Sequence, residues 1–161
     1  MSLVTYRTRV PRDWVDYNGH LNVGYYMIAF DKATDGLADA LGIGLAYRTG
    51  FDKSIYVVDA HLCFEREVME DAPIRIETLV VGADDKRIHA AHSMIDETGG
   101  ELAATAELLI LHVDLATRRA APFPADRAQA IHALAQAHAG LPRPAQLGRT
   151  VALRRKPGAT A

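Results

Sequence analysis

The sequence is poor in cysteine, in unbalanced charge and in long apolar runs. Cys63 is the only cysteine among 161 residues, which excludes an internal disulfide and fits a reducing compartment. The 18 basic and 20 acidic residues give a net charge of −2, so nothing points to nucleic acid or an anionic membrane as a partner. No apolar run is long enough to cross a bilayer, and the first residues alternate like a strand and not like a signal peptide. We therefore expect a cytoplasmic protein.

Periodic apolar residues divide the rest of the chain into strands and helices. Spacings of three and four predict an amphipathic helix from about residue 23 to residue 41, and a second helix follows Pro124. Residues 42–53 are expected to form a loop. Alternating residues predict five strands, at 3–10, 55–64, 74–81, 87–96 and 102–114. This order predicts an α+β fold, with an antiparallel five-stranded sheet around the first helix and open edges that favour pairing with a second copy.

The stretch from Asp16 to Tyr26 gathers the side chains best suited to chemistry. A carboxylate, two amides, a glycine turn and His20 lie directly ahead of the long helix. Helix N-termini carry unpaired N–H groups and a partial positive charge, so they stabilise anions and developing oxyanions. The alternative is structural, since Asp16 could simply cap the turn before the helix. The residues alone leave both open.

Residues 16–22, followed by Tyr25, Tyr26, Phe30 and Asp31, resemble the hotdog-fold acyl-CoA thioesterases of the 4-hydroxybenzoyl-CoA thioesterase type. Residues 14–20, 81–89 and 102–107 are similar, more narrowly, to the betainyl-CoA thioesterases of carnitine catabolism, and this likeness continues into residues 138–142. The resemblance implies a single hotdog domain over residues 1–145, followed by a basic tail over 146–161. It also implies an acyl-CoA substrate, no cofactor, and a homodimer or a dimer of dimers.

The resemblance gives the motif residues their roles. Asp16 would attack the thioester or activate water, while the N–H of Val23 would polarise the carbonyl. From its position alone, His20 either tunes the pKa of Asp16 or is a structural histidine that bonds the loop backbone. Asn18 is either a turn residue or a residue that orients Asp16 or a water. Members of the family differ in where the carboxylate lies, so the helical Asp31 and Asp35 are alternatives to Asp16.

If the acyl group is betainyl, its quaternary ammonium requires aromatic faces or a carboxylate. Asp31 is a candidate carboxylate. The candidate aromatic residues are Trp14, Tyr17, Tyr25 and Tyr26, although packing of the helix on the sheet would also explain them. Asp59 and His61 share one face of their strand with Ile55 and Val57, and they belong either to the substrate pocket or to a buried polar network.

Two further groups of residues carry weaker signals. Five of the seven histidines are considered as metal ligands, namely His20, His61, His89, His92 and His112. No pair of them has a recognisable ligand spacing, so no metal site is expected. Basic residues that could bind CoA phosphates are Lys86, Arg87, Arg149, Arg154, Arg155 and Lys156. Two other functions remain possible, a hotdog-fold enoyl-CoA hydratase and a non-catalytic acyl-CoA-binding module, and the acyl carrier could be a protein.

Overall fold

The computed structural model describes residues 2–153. The strands and helices follow one another as β1 (Leu3–Arg9), α1 (Val23–Ala40), α2 (Leu45–Phe51), β2 (Lys53–Phe64), β3 (Pro73–Ala83), β4 (Arg87–Asp96), β5 (Glu101–Asp114), β6 (Arg119–Ala120) and α3 (Ala125–His138). A single 3-10 turn, Arg12–Trp14, lies between β1 and α1. Within residues 2–153, no helix combines the length and the apolarity needed to cross a membrane.

One antiparallel sheet wraps around α1. Its strand order is β1-β3-β4-β5-β2, and the two-residue β6 extends β5. The buried side of α1 repeats every three or four residues, as an amphipathic helix on a sheet requires; these residues are Tyr26, Ala29, Phe30, Ala33, Thr34, Leu37 and Ala38. The arrangement confirms the predicted α+β fold with a central helix.

The predicted loop over residues 42–53 is wrong in its middle, where α2 forms. Gly44 precedes this helix and Asp52 ends it in the left-handed conformation, with φ 50°. Of its seven residues only Tyr47 is buried, so the segment has no apolar periodicity by which a helix is recognised. The strand β6 was also not predicted, because two exposed residues carry no alternating pattern.

A bulge at Val58 divides β2 into two parts. The register of β2 on β5 shifts between Val57 and Asp59. After such an extra residue the alternation is reversed, so positions that would have pointed to one face of the sheet point to the other. Val57 lies opposite the buried Ile110, whereas Asp59 lies opposite Leu109. Val57 therefore shares the α1 side of the sheet with Ala60, and the prediction that it shares a face with Asp59 is wrong.

The helix α3 covers an otherwise open part of the sheet edge. β1 pairs with β3 only from Pro73 to Thr78, so the last residues of β3 have no strand on that side. There the N–H of Val80 donates to Nδ1 of His138 over 3.0 Å. An unpaired buried N–H is costly, and a histidine at the end of α3 satisfies it.

The helix α1 passes unusually close to β1 at Gly36. A Cβ atom placed on this glycine would lie 2.2 Å from the carbonyl oxygen of Thr5. Any larger residue would thus overlap the backbone of the neighbouring strand. Gly36 is therefore a packing requirement at this position of α1.

A buried hydrogen-bond chain links α1 to the sheet through His92, which is completely buried. The Thr34 hydroxyl donates to the carbonyl of Phe30 over 3.0 Å and so accepts from Nε2 of His92 over 3.1 Å. Nδ1 of His92 is then the acceptor for the Thr78 hydroxyl at 2.7 Å, and Thr78 accepts in turn from Thr5 at 2.7 Å. A neutral imidazole makes both of these hydrogen bonds, because it donates from Nε2 and accepts at Nδ1. Burial lowers the pKa of His92 to about 4.

We expect this histidine to make the fold acid-sensitive. Because its pKa of about 4 lies below the ordinary value of about 6.5, the unfolded chain binds more protons between these pH values. The free energy of unfolding therefore falls as the pH drops through that window, with about 2 kcal/mol from His92 between pH 7.5 and pH 5. Urea unfolding at the two pH values measures it.

The variant His92→Gln should lose this pH-dependent part of the free energy of unfolding, whatever its stability at pH 7.5. His132 is exposed on α3, so His132→Gln is the matched control and should keep the wild-type difference. The comparison between variants is needed because burial also lowers the pKa of His138. Equal pH differences in wild type and His92→Gln would contradict the expectation.

Candidate active site

The loop between β1 and α1 is held closed by its own backbone. The N–H of Asp16 donates to the carbonyl of His20 over 3.1 Å, and that of Asn22 donates to Trp14 over 2.9 Å. Gly19 turns the chain with φ +84°, a conformation that glycine adopts without strain. The loop is also tied to the segment after β2, because Leu21 N–H donates to the carbonyl of Val68 over 2.7 Å. These bonds fix Asp16 relative to the start of α1.

The cap of α1 is Asn22 and not Asp16. The Asn22 side chain accepts from the N–H of Gly24 over 2.9 Å, which satisfies one of the exposed donors of the first helical turn. Asp16 instead accepts the backbone N–H of Asn18 over 2.8 Å through Oδ1. Oδ2 has no hydrogen-bond partner in the part of the chain that is described. Asp16 thus caps the turn before the helix through Oδ1, as the structural alternative predicts, and Oδ2 is the oxygen left for chemistry.

Asp16 lies in a cavity of about 410 Å³ beside the N-terminus of α1. We call it the Asp16 cavity, and its walls are Asp16, His20, Leu21, Val23, Tyr26, Phe64, Glu65, Arg66 and Glu67. Val23 is the first residue of α1 and is 63% exposed. Its N–H has no acceptor among residues 2–153. One cavity is thus lined both by a carboxylate with an unbonded oxygen and by the first residue of α1, whose N–H has no acceptor in the described chain.

This pairing suits attack on a carbonyl carbon. A carboxylate can attack directly or remove a proton from water, and an unpaired N–H at a helix start stabilises the negative charge that develops on the carbonyl oxygen. The His20 ring is not bonded to the Asp16 carboxylate; its Nε2 lies 3.9 Å from Glu67. Asn18 orients Asp16 through its backbone N–H.

Of the four predicted aromatic residues, only Tyr26 lines the Asp16 cavity. Its hydroxyl donates to the carbonyl of Arg66 over 3.2 Å, and burial raises its pKa. Trp14 and Tyr25 stack on each other, with ring centroids 5.5 Å apart, and pack against the core. Tyr17 is 97% exposed. Within one protomer the four rings do not form a cage.

Asp31 and Asp35 lie in a second cavity, of about 570 Å³, between α1 and residues 54–58. Asp31 follows Val23 by eight residues, which is about 12 Å along a helix. Neither aspartate lines the Asp16 cavity. They therefore join Asp16 in one site only if a second copy of the chain supplies them.

Asp59 and His61 lie on the outer face of the sheet, turned away from α1. His61 is opposite Glu107 in the register, and Glu107 accepts from His89 over 2.8 Å and from the N–H of Gly148 over 2.7 Å. These residues line a third cavity, of about 560 Å³. Asp59 and His61 thus line one cavity together, and neither of them lines the Asp16 cavity.

The sequence did not indicate Phe64, Glu65 or Glu67 as site residues. They lie far from Asp16 along the chain and reach it because the segment after β2 pairs with the loop, through a bridge between His20 and Met69. Such long-range pairing has no local signal. The only indication is that β2 ends in Phe64 and is followed at once by a charged run.

Some of the basic residues that were predicted to bind CoA phosphates lie beside carboxylates of the chain itself. Arg87 donates to Asp84 over 2.7 Å, and Arg149 lies 3.6 Å from Glu65. Arg154, Arg155 and Lys156 lie outside the described residues. The predicted C-terminal tail begins with Gln146, which donates to Glu65 over 2.6 Å. Among residues 2–153, no three His, Cys, Asp or Glu side chains are placed to hold a metal ion.

Comparison with known proteins gives consistent results. Residues 10–131 match the model of the thioesterase-like superfamily. The chain is 38% identical to the betainyl-CoA thioesterase of Pseudomonas aeruginosa, over 94% of this chain and 95% of that protein. It is 35% identical to the L-carnitine dehydrogenase/betainyl-CoA thioesterase of Ruegeria pomeroyi, over 96% of this chain but only 31% of that longer protein.

Solved structures agree with the sequence relatives. A proposed thioesterase from Pseudomonas putida KT2440 superimposes with a TM-score of 0.84 at 35% identity, covering 96% of this chain and 99% of that one. A Staphylococcus aureus protein determined in complex with CoA has a TM-score of 0.88, covering 96% of this chain and 98% of that one. Its identity of 21% supports likeness of fold alone.

Proposed function

The chain belongs to the thioesterase-like superfamily and is an acyl-CoA thioester hydrolase, and we propose that it hydrolyses betainyl-CoA with Asp16 as the reacting carboxylate. Its fold is the predicted hotdog fold. The observation that carries the proposal is that Asp16 and Val23, whose N–H has no acceptor among residues 2–153, line the same cavity. The choice of acyl group is supported by relatives that are named betainyl-CoA thioesterases.

In the proposed reaction the thioester carbonyl oxygen accepts a hydrogen bond from Val23 N–H at the positive end of α1. Asp16 then acts through its unbonded Oδ2 in one of two ways. It removes a proton from the water that attacks the carbonyl carbon, or it attacks that carbon itself and the mixed anhydride is hydrolysed. In both cases the C–S bond breaks, CoA leaves as its thiol and the free carboxylic acid is released.

We propose that the working unit is at least a homodimer, as the sequence predicts, and that it forms along β2. β2 is an edge strand that pairs only with β5 within the described chain. Its middle exposes Tyr56, Val57 and Val58, and an exposed apolar edge strand is a template for pairing with another chain. Such a dimer would bring Asp31 and Asp35 of one protomer towards the partner. Dimers could pair further into tetramers.

The proposed setting is the breakdown of carnitine in the cytoplasm. The longer relatives join a domain of this kind to an L-carnitine dehydrogenase, which supports that setting. A hydratase would need an aspartate and a histidine acting together. Here the Asp16 carboxylate bonds to Asn18 and the His20 ring lies near Glu67, so the geometry favours hydrolysis.

The proposal is tested with purified protein and a panel of acyl-CoA thioesters, by following thiol release. The panel contains betainyl-CoA, acetyl-CoA, butyryl-CoA, benzoyl-CoA and crotonyl-CoA. We expect kcat/KM for betainyl-CoA to exceed the values for the other thioesters by at least about 10-fold, since its quaternary ammonium gives the enzyme one more group to bind. A larger kcat/KM for another thioester would reject the proposed substrate. Loss of the crotonyl-CoA absorbance without thiol release would instead indicate a hydratase.

A further inference from the structure

An aromatic pair forms one wall of the Asp16 cavity. The rings of Tyr26 and Phe64 meet edge to face, with centroids 5.1 Å apart and an angle of 74° between planes. Tyr26 is buried and fixed by its bond to Arg66, whereas Phe64 is 48% exposed. The accessible ring is therefore that of Phe64. A trimethylammonium group offers no hydrogen-bond donor, so it is recognised best by aromatic faces and nearby negative charge.

The charged groups of the cavity are not equally available. Arg66 pairs with Glu101 at 2.9 Å. Glu65 accepts from Gln146 and lies near Arg149, at 2.6 and 3.6 Å. The ionisable neighbour of Glu67 in the described chain is the His20 ring, 3.9 Å away. Glu67 is thus the carboxylate best able to meet a cationic ligand, apart from the reacting Asp16.

Covalent geometry restricts where the cation of the proposed substrate can lie. In a betainyl group the nitrogen is bonded to the carbon next to the carbonyl, so it is about 2.5 Å from the reacting carbon. A thioester held between Asp16 and the N–H of Val23 must therefore place its cation in the same cavity. Asp31, about 12 Å further along α1, is too distant within one protomer.

Given the proposed function, we propose that Phe64 and Glu67 form the subsite that binds the quaternary ammonium group and sets the preference for a cationic acyl chain. Phe64 contacts the methyl groups with its ring, and Glu67 supplies the compensating charge. Tyr26 holds Phe64 in position. Neither Phe64 nor Glu67 takes part in breaking the thioester bond, so both act on the choice of substrate.

The test compares betainyl-CoA with 3,3-dimethylbutyryl-CoA, which has the same shape but carbon in place of nitrogen. The ratio of the two kcat/KM values is measured in wild type, Glu67→Gln and Phe64→Leu. We expect the ratio to fall about 10-fold in Glu67→Gln and about 5-fold in Phe64→Leu, through loss of activity on betainyl-CoA. A poorly folded variant loses activity on both substrates equally, so its ratio still reports on the subsite.

Glu70→Gln is the matched control, because Glu70 lies three residues further on, pairs with Arg12 and does not line the cavity. Its ratio should stay within about 2-fold of wild type. Unchanged ratios in both Glu67→Gln and Phe64→Leu would overturn the subsite while leaving betainyl-CoA as the substrate. Asp31→Asn is measured in the same way, and a fall of the ratio in that variant alone would also overturn the subsite. A wild-type enzyme inactive on betainyl-CoA would reject the proposed function itself.

Discussion

Replacing Asp16 by asparagine is expected to lower kcat about 1,000-fold or more, with KM changed only a few fold. The amide has nearly the same shape and can still accept the N–H of Asn18, a bond that Oδ1 makes at 2.8 Å. It cannot attack a carbonyl or accept a proton from water, and a positioned acid–base or nucleophilic group contributes roughly 10²- to 10⁴-fold. Thiol release under saturating betainyl-CoA, together with circular dichroism of the variant, measures the effect.

Two other aspartates serve as comparisons for this experiment. Asp13 is exposed in the 3-10 turn just before the loop and does not line the Asp16 cavity, so Asp13→Asn should remain nearly as active as wild type. Asp31→Asn tests the alternative in which the carboxylate lies on the helix. If Asp31→Asn were inactive while Asp16→Asn kept more than about a tenth of the wild-type kcat, Asp16 would not be the reacting group.

Gly36→Ala is expected to lower the free energy of unfolding by about 3 kcal/mol. Alanine alone would favour the helix by about 1 kcal/mol, so an exposed helical glycine would be improved by this change. Here the added Cβ would lie 2.2 Å from the carbonyl oxygen of Thr5, and α1 and β1 must move apart. Overpacking against backbone costs typically 1–3 kcal/mol and at times more. Urea unfolding at pH 7.5 measures the difference.

Gly50→Ala in α2 is the matched control. A Cβ there meets nothing within 4 Å, so the substitution should leave stability unchanged or raise it by up to about 1 kcal/mol. A Gly36→Ala variant as stable as wild type would show that the close approach of α1 to β1 does not hold in solution. The two alanine variants differ only in what surrounds the new methyl group.

The main elements of the fold could be predicted because their residues repeat. The three- and four-residue spacing of Phe30, Thr34 and Leu37 identifies α1, and alternation identifies the long strands. The helix α2 carries only one buried side chain, Tyr47, and therefore has no pattern to recognise. The bulge at Val58 is a single inserted residue in an apolar run, and no local preference marks it.

Some residues of the candidate site could likewise be predicted from the sequence, and others could not. Asp16 and Val23 belong to one short motif, so the sequence could place them together. Phe64 and Glu67 come from the segment after β2 and reach the cavity only through pairing of that segment with the loop. Asp59 was predicted to lie either in the substrate pocket or in a buried polar network, and the outward direction of its side chain depends on the bulge. Long-range pairing of this kind must be seen in three dimensions.

The bulge in β2 bears on how related sequences should be aligned. Residues 53–57 and 59–64 obey opposite inward and outward alternation, because Val58 stands outside the ladder. Against a relative whose strand has no extra residue, an ungapped alignment would match inward positions with outward ones over half of the strand. An outward-facing charged residue of the relative, aligned with the inward Val57, would then be mistaken for a change in the interior. A one-residue gap at Val58 restores the correspondence of the two halves.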